Sequence, residues 1–255
     1  MIRARQIEKR YGSFQAVAPM DLDVRAGEVF GFLGLNGAGK TTTLRMLGGV
    51  LPPTAGRVWI DGISLDEEPV EARRRMGFIP DRPYLYDKLT AREFLRFRGE
   101  IYRMDPPHLA RRIEQMLDLS GLESVADALV ESYSHGMKQR LTLAAALLTE
   151  PRLLIVDEPM VGLDPRGAKQ IKQVFRELAA AGNTVFLSTH TLEVAAEVWT
   201  ASRSSTRAAS WCSARPTRSS RRASAWRTCS CGSRGFHDVA PGPPRVHARG
   251  LPARA

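Results

Sequence analysis

The segment GLNGAGKT, residues 34–41, fits the pattern G-x-x-x-x-G-K-[ST]. It continues the apolar run 28–35 and opens the helical pattern TTLRMLGGV, and this strand–turn–helix context is the one in which the pattern binds phosphates. Glycines let the backbone wrap around phosphate groups, and the free amides of a helix N-terminus add donors and a favourable dipole. Lys40 would reach the β- and γ-phosphates, and Thr41 would ligate Mg²⁺. The alternative is a glycine-rich turn that binds nothing.

An acidic pair, Asp157 and Glu158, ends the apolar run RLLIVDEP at residues 152–159. A carboxylate at the carboxyl end of a strand can hold Mg²⁺ directly or through water, so Asp157 is a candidate ligand. The neighbouring Glu158 can orient and polarise a water molecule that attacks the γ-phosphate. Asp-Glu after a strand can also merely cap the next helix, and the phosphate-binding segment upstream favours the chemical interpretation.

Apolar runs alternate with helical patterns along residues 1–198, and this order predicts an α/β domain with a mostly parallel sheet. Each run is apolar almost throughout, which suits strands buried on both faces. Ligands of such a sheet bind at the carboxyl ends of the strands. The runs cover residues 28–35, 152–159 and 183–190, and the helical patterns cover 42–50, 134–150 and 165–182, the last closed by Gly182.

Two regions depart from this alternation. Residues 83–130 contain successive helical patterns, the last being ESVADALV, with no strand between them, which predicts an inserted helical subdomain. Residues 2–24 and 57–63 alternate between apolar and polar positions, as in an antiparallel sheet beside the core. The predicted fold is a P-loop NTPase core with a mostly parallel sheet, an antiparallel β subdomain and an inserted helical subdomain.

The positive charge of the chain is confined to its C-terminal part. The 255 residues have a formal net charge of +10, yet residues 1–198 hold 26 basic and 26 acidic side chains. Residues 199–255 hold 11 arginines and one acid, Asp238, with all three cysteines and three of the four tryptophans. The charge of the whole chain therefore says nothing about the partners of residues 1–198, for which we expect no nucleic acid.

We expect a cytoplasmic protein. The sequence has no apolar run of about 18 residues, the length needed to span a membrane. The N-terminal MIRARQIEKRYG lacks the apolar stretch of a secretory signal. The spacing of the three cysteines with His237 and His247 fits no standard metal site.

Three further segments carry a family resemblance: YSHGMKQR (133–140), LLIVDEPMVGLDP (153–165) and STH (188–190). Together with GLNGAGKT, in this order and at this spacing, they resemble the nucleotide-binding subunit of an ABC transporter over residues 2 to 198. The form YSHGM is similar to that of the single-domain ATPases of bacterial export-type systems. The resemblance implies a subunit that binds and hydrolyses ATP with Mg²⁺ and drives export through a separate permease, on the inner face of the cell membrane.

The resemblance implies roles for individual residues. Tyr11 would stack on adenine, Asp157 would hold magnesium, and Glu158 would be the general base. His190 would be the switch histidine that contacts the γ-phosphate. The phosphate loop would comprise Gly34, Asn36, Gly37, Gly39, Lys40, Thr41 and Thr42.

A second group of residues is implied to act on the ATP of another subunit. Ser134, His135 and Gly136 resemble the signature that caps this ATP, and the signature lies at a predicted helix N-terminus, whose dipole favours a γ-phosphate. Asp164, in GLD, resembles the residue that crosses the dimer interface. The resemblance therefore implies a head-to-tail dimer with two ATP molecules at its interface.

Two positions differ from the commonest family pattern. The family often has Gln in the loop after IP, and export-type relatives commonly have Glu, whereas this chain has Asp81. Asp81 is thus the candidate at this position for reaching Mg²⁺ or the attacking water, with a shorter side chain. His135 and Met137 stand where many members have Gly and Gln, and both fit the export-type pattern.

The C-terminal part does not continue the family pattern of helix, strand, turn, strand and terminal helix. Residues 199–235 are rich in Ser, Arg, Ala, Cys and Trp, a mixture typical of G+C-rich DNA translated out of register. In the shifted frame, residues 199–217 can read DRIAIIHQGRLVVLGTPD and residues 225–235 can read VEDVFLRLTG. Both strings resemble the expected continuation. We therefore interpret 199–255 as an aberrant, disordered basic tail behind a frameshift at or just before Trp199.

Other interpretations belong to different function classes. A genuine Arg/Ser-rich tail would bind nucleic acid or an anionic membrane, which the shifted-frame strings disfavour. A non-transport ABC ATPase, acting on ribosomes or in repair, usually carries two such domains or long coiled-coil insertions. Neither feature is visible in this sequence.

We predict that resequencing the source DNA across codons 190–240 will show one base missing or extra. The printed chain would then lack two strands and a helix of its family. Each Val, Leu or Ile side chain left exposed loses about 1.5–3 kcal/mol of stabilisation by burial. The total stability of a typical protein is about 5–15 kcal/mol. We therefore expect the printed chain to be poorly folded, and a cooperative thermal transition in it would contradict this expectation.

Overall fold

Two sheets of different kind form the framework of the protein. The computed structural model describes residues 1–82, 84–160, 165–190 and 207–210. In chain order the strands are β1 (Ile2–Tyr11), β2 (Phe14–Val24), β3 (Val29–Leu33), β4 (Ala55–Ile60), β5 (Ile63–Ser64), β6 (Met76–Ile79), β7 (Leu153–Asp157), β8 (Thr184–Thr189) and β9 (Arg207–Ser210). The α-helices are α1 (Lys40–Leu47), α2 (Pro69–Arg74), α3 (Ala91–Ile101), α4 (Pro106–Ser120), α5 (His135–Leu147) and α6 (Pro165–Ala180).

The first sheet is antiparallel and has the strand order β2-β1-β4-β5. The second sheet is parallel and has the order β6-β7-β8-β3-β9. The three long apolar runs became β3, β7 and β8, which are adjacent in this sheet. The predicted α/β fold, with a parallel core, an antiparallel sheet and a helical region, is therefore confirmed.

Alternate residues of the parallel strands are buried in two different cores. In β7, Leu153 and Ile155 belong to the core shared with the antiparallel sheet and α1, whereas Leu154 and Val156 belong to the core shared with α3, α4, α5 and α6. Phe186 of β8 stacks on Phe30 of β3, with ring centroids 5.1 Å apart. Both faces of the sheet are covered, which explains why these strands are apolar throughout.

The helices of the helical region begin and end at residues that satisfy their free backbone groups. Thr90 and Glu93 form a reciprocal capping box at the start of α3. Asp105 accepts the amide of His108 at the start of α4, and Gly121 ends that helix in the left-handed conformation. One prediction is corrected in this region, because ESVADALV (123–130) is not an α-helix. It contains the 3₁₀ turn Glu123–Val125 and ends at the first residue of a second turn, Val130–Ser132. The buried Val130 amide bonds to Leu89 across the segment, which competes with helical pairing.

Two strands were not predicted. The four residues of β6 are too few to give a clear pattern, and they lie at the edge of the parallel sheet beside β7. β9 lies in the tail that we predicted to be disordered, and it pairs in parallel with β3. Backbone hydrogen bonds along a free strand edge can form with almost any sequence, which accounts for this difference. The other residues of the predicted tail, its cysteines and histidines included, lie outside the described part of the chain.

None of the helices in the described ranges combines the length and the apolar character that crossing a bilayer requires.

We predict that Phe186→Ala destabilises the protein by about 3–5 kcal/mol, because it removes a fully buried ring that contacts Phe30 and Phe32. Urea unfolding would measure the change in the frame-restored chain, in which the reading frame after residue 198 is corrected. Val70→Ala is the matched control, since Val70 is 61% exposed on α2 and should change stability by less than about 0.5 kcal/mol. Equal decreases in the free energy of unfolding of the two variants would show that the faces of the parallel sheet are not buried as described.

Candidate active site

The register of the parallel strands brings three strand ends to one edge of the sheet. Leu33, the last residue of β3, pairs with Thr189 of β8. Asp157, the last residue of β7, pairs with Ser188 of β8. The segment after β3, the acidic pair after β7 and the histidine after β8 therefore emerge side by side, where ligands of parallel sheets bind.

The loop between β3 and α1 has the backbone of a phosphate-binding turn. Gly37 and Gly39 have φ of 78° and 89°, values that other residues rarely adopt. Gly39 is the N-cap of α1, and its carbonyl accepts the amide and the hydroxyl of Thr43. The helix therefore begins at Lys40, and its first amides remain free of intrahelical partners.

The ammonium group of Lys40 lies inside this loop. Its Nζ donates to the Gly34 carbonyl at 2.7 Å and to the Leu35 carbonyl at 3.3 Å. It also forms an ion pair with Glu158, with Nζ 3.5 Å from Oε1, and the residue is only 6% exposed. Two sequence-predicted residues, 118 positions apart in the chain, are thus in direct contact.

The carboxylate of Glu158 lies between Lys40 and His190. Its Oε2 is 3.0 Å from Nδ1 of His190, and its backbone has a φ of 50°, in the left-handed region. Such a conformation is uncommon for a residue other than glycine and is typical of functional sites. One oxygen of the Glu158 carboxylate therefore contacts a buried ammonium group, and the other contacts a histidine ring.

The carboxylate of Asp157 is buried and only partly satisfied. Burial raises the pKa of this carboxyl, the hydroxyls of Ser188 and Thr41 lower it, and the negative charges of Asp81 and Glu158 raise it further. Its Oδ2 is buried and has no hydrogen-bond partner in the part of the chain that the structure describes. An unpartnered carboxylate oxygen beside the Thr41 hydroxyl fits a hard cation such as Mg²⁺, which prefers oxygen ligands.

Asp81 lies close enough to this site for its charge to affect Asp157, but its nearest ionic partner is another residue. Oδ1 of Asp81 is 3.8 Å from the guanidinium of Arg45 on α1. The pair is partly exposed, so it orients the loop only weakly.

The remaining predicted residues lie elsewhere in the fold or outside the described ranges. Tyr11 ends β1, is 51% exposed, and has the ammonium of Lys9 5.5 Å from its ring. Ser134 is the N-cap of α5, where its side chain accepts the amide of Met137. His135 and Gly136 form the first turn of that helix. None of the contacts described for these residues joins them to Lys40 or Glu158, and Asp164 is outside the described residues.

The start of α5 is tied to the segment that follows Asp81. Asp87 accepts the Lys138 ammonium at 2.9 Å through its side chain and the Glu131 amide at 3.0 Å through its carbonyl. Lys88 pairs with the Glu131 carboxylate at 2.6 Å. The amide of Val130 adds a bond to the Leu89 carbonyl.

Sequence reasoning missed two residues of the site. Ser188 donates its hydroxyl proton to Asp157 and accepts the Glu158 amide, a contact between strands that leaves no pattern in the sequence. Arg45 pairs with Asp81. The available signals were the place of Ser188 in the segment STH and the position of Arg45 one turn into α1.

The fold and the site together define a P-loop nucleotide-binding protein. A family model described as ABC transporter matches residues 17–161, and the chain belongs to this family. A solved structure of an ATP-binding subunit of an ABC transporter is 33% identical, with a TM-score of 0.73, and the match covers 78% of this chain and 82% of that one. The ATP-binding cassette MJ0796, in a post-hydrolysis state bound to ADP and Pi, is 28% identical with a TM-score of 0.70. That match covers 76% of this chain and 90% of the cassette.

Curated relatives include subunits of bacterial export systems. The Nod factor export ATP-binding protein I of Cupriavidus metallidurans is 40% identical over 195 residues, which cover 76% of this chain and 64% of that protein. The bacitracin transport ATP-binding protein BcrA of Bacillus licheniformis is 42% identical over 193 residues, covering 75% and 62%. The chain therefore spans a little under two thirds of the length of these relatives.

We predict that Asp157→Asn raises the melting temperature in EDTA at neutral pH. Because burial raises the pKa of this carboxyl, its stabilising contribution is complete below the usual aspartate pKa and is lost as the pH rises through the raised value. At neutral pH the ionised group is a net cost, and a gain of ~1 kcal/mol corresponds to about 2–4 °C. Calorimetry would measure the shift, with the exposed Asp66→Asn as control. A lower melting temperature for Asp157→Asn alone would contradict the prediction.

Proposed function

We propose that this chain is the ATP-binding and ATP-hydrolysing subunit of an ABC exporter. The observation that carries the proposal is the contact of Lys40 and His190 with the two carboxylate oxygens of Glu158, beside the buried Asp157. These residues come from three strand ends, and they are the groups that phosphate binding, water activation and metal binding require. The relatives named for Nod factor, bacitracin and linearmycin support the export part of the proposal.

The phosphate loop would bind ATP by exchanging partners. The phosphates would replace the Gly34 and Leu35 carbonyls and the Glu158 carboxylate around the Lys40 ammonium, while the first amides of α1 donate to the same oxygens. Tyr11 would stack on adenine. The loop residues involved would be Gly34, Asn36, Gly37, Gly39, Lys40, Thr41 and Thr42.

The acidic residues would divide metal binding and proton transfer between them. Thr41 and Asp157 would hold Mg²⁺, with Asp81 at its outer side, and the ion would neutralise charge on the β- and γ-phosphates. Glu158, released from Lys40, would accept a proton from the attacking water. His190 would then hold the Glu158 carboxylate in position and contact the γ-phosphate.

Two subunits would be needed to complete each site. Ser134, His135 and Gly136, at the start of α5, would face the γ-phosphate bound by the other subunit, with Asp164 at the interface between them. The free amides of this helix end support the assignment, because they attract anions. ATP would hold the head-to-tail dimer together, and hydrolysis would release it.

The membrane permease would dock on the helical region. Tyr86, Phe97 and Ile101 form an exposed aromatic patch, with exposed fractions of 57%, 40% and 62%. The Tyr86 and Phe97 rings meet edge to face at 5.5 Å, and Ile101 is one turn further along α3. Adjacent apolar side chains on a surface mark an interaction site. This docking would place the subunit at the inner face of the membrane, and the permease would select the cargo.

Residues 199–255 would be an out-of-frame segment with no part in this function. The matches to the curated relatives span 193 to 195 residues, close to the 198 that precede this segment. A permease gene beside this one would further favour export.

We predict that Glu158→Gln lowers the ATPase kcat by about 10²–10⁴-fold, because it removes the base, while ATP binding is retained. Lys40→Ala should abolish binding, since it removes the cation that meets the phosphates. Phosphate release and fluorescent-ATP binding would be measured in the printed and frame-restored chains. Glu67→Gln is the matched control, because Glu67 is a surface residue with a side chain 69% exposed. A frame-restored chain that neither binds nor hydrolyses ATP would overturn the proposed function.

A further inference from the structure

The side chain of Ser188 connects the two acidic residues of the site. Ser188 lies on β8 directly opposite Asp157 and is fully buried. Its hydroxyl donates to Oδ1 of Asp157 at 2.5 Å and accepts the backbone N–H of Glu158 at 3.2 Å. A serine hydroxyl has a single proton to donate. The hydroxyl donates that proton to Asp157, and one lone pair of the hydroxyl oxygen accepts the amide of Glu158.

The bond to Glu158 anchors the backbone directly after the end of β7. β7 ends at Asp157, and the φ of 50° at Glu158 turns the backbone out of the strand. The Glu158 amide is the first beyond the strand, and a partly buried amide requires an acceptor. The Ser188 hydroxyl supplies this acceptor and so anchors the peptide group from which the turn at Glu158 begins. The Glu158 carboxylate is thereby kept between Lys40 and His190.

The bond to Asp157 determines which carboxylate oxygen is available. Oδ1 is engaged by the Ser188 hydroxyl, and Oδ2 is the buried oxygen without a partner among the described residues. Without this bond the Thr41 hydroxyl would be the remaining hydroxyl donor to the carboxylate, which would be less firmly oriented. An apolar residue at position 188 would also leave the Glu158 amide without its acceptor.

We infer that Ser188 is a positioning residue, which presents Oδ2 of Asp157 to Mg²⁺ and holds the Glu158 backbone in the conformation that its role as base requires. The inference rests on the proposed ATPase function. It predicts that one hydroxyl affects both metal binding and the chemical step, although it touches neither metal nor nucleotide. Removing a group that orients a metal ligand typically lowers metal affinity or activity by about 10–100-fold.

The test compares Ser188→Val with Ser188→Thr. The two replacements have nearly the same shape, and only threonine retains the hydroxyl. Mn²⁺ would be titrated into each ADP-loaded variant and followed by electron paramagnetic resonance, in the printed and frame-restored chains. We expect Ser188→Val to bind Mn²⁺ about 10–100-fold more weakly and to lose kcat more than it raises KM, with Ser188→Thr close to the parent.

A control separates positioning from loss of a buried hydroxyl. Thr184, at the other end of β8, is also fully buried and bonds to Gly27 and Arg25. Thr184→Val should lower the melting temperature but leave Mn²⁺ affinity unchanged. The inference fails if Ser188→Val binds Mn²⁺ like the parent, or if Ser188→Thr loses affinity equally. Ser188→Ala gives the same comparison if the valine variant does not fold. A parent chain that binds no Mg-ATP would instead count against the proposed function.

Discussion

The register of β3, β8 and β7 is the constraint on which the site depends. Leu33 opposite Thr189 and Asp157 opposite Ser188 place three chain segments at one height along the sheet. This register is maintained by burial, since neighbouring residues of β7 belong to different cores. A slip of one residue would exchange the two sets of side chains and place Asp157 out of reach of Ser188. The chemistry is therefore fixed by packing far from the reacting groups.

The parts of the fold that were predictable are those with a local physical cause. Continuous apolar runs became β3, β7 and β8 because both sheet faces are covered. The glycine turn leads into α1 because the backbone at residue 39 has a positive φ, which glycine adopts readily. The features that the sequence did not predict depend on contacts between residues far apart in the chain. ESVADALV has helix-forming residues, but its Val130 amide bonds to Leu89 in another segment. The contact of Ser188 with Asp157 spans 31 residues and depends on strand pairing, which no spacing in the sequence reports.

The two buried charges of the site, on Lys40 and Asp157, are compensated to different extents by their neighbours. Lys40 is almost buried but has a carboxylate and two carbonyls around it, so its charge is compensated within the protein. Asp157 is equally buried, and two hydroxyls give it only neutral donors, while neighbouring carboxylates oppose its ionisation. A buried charge without a counter-ion is expensive. The fold thus tolerates a local instability at the position where the proposed cation would relieve it, as functional sites commonly do.

Asp87 links the exposed patch that contains Tyr86, the proposed docking site, to the start of α5, which is proposed to contact ATP. Its carbonyl and carboxylate hold the Glu131 amide and the Lys138 ammonium, and its neighbour Tyr86 contributes a ring to the exposed aromatic patch. Four bonds therefore join the segment 86–90 to residues 130, 131 and 138 around the beginning of α5, close to Ser134. A displacement of the segment that carries Tyr86 would strain several of these bonds together, so partner binding at Tyr86 would change the position of the residues next to Ser134.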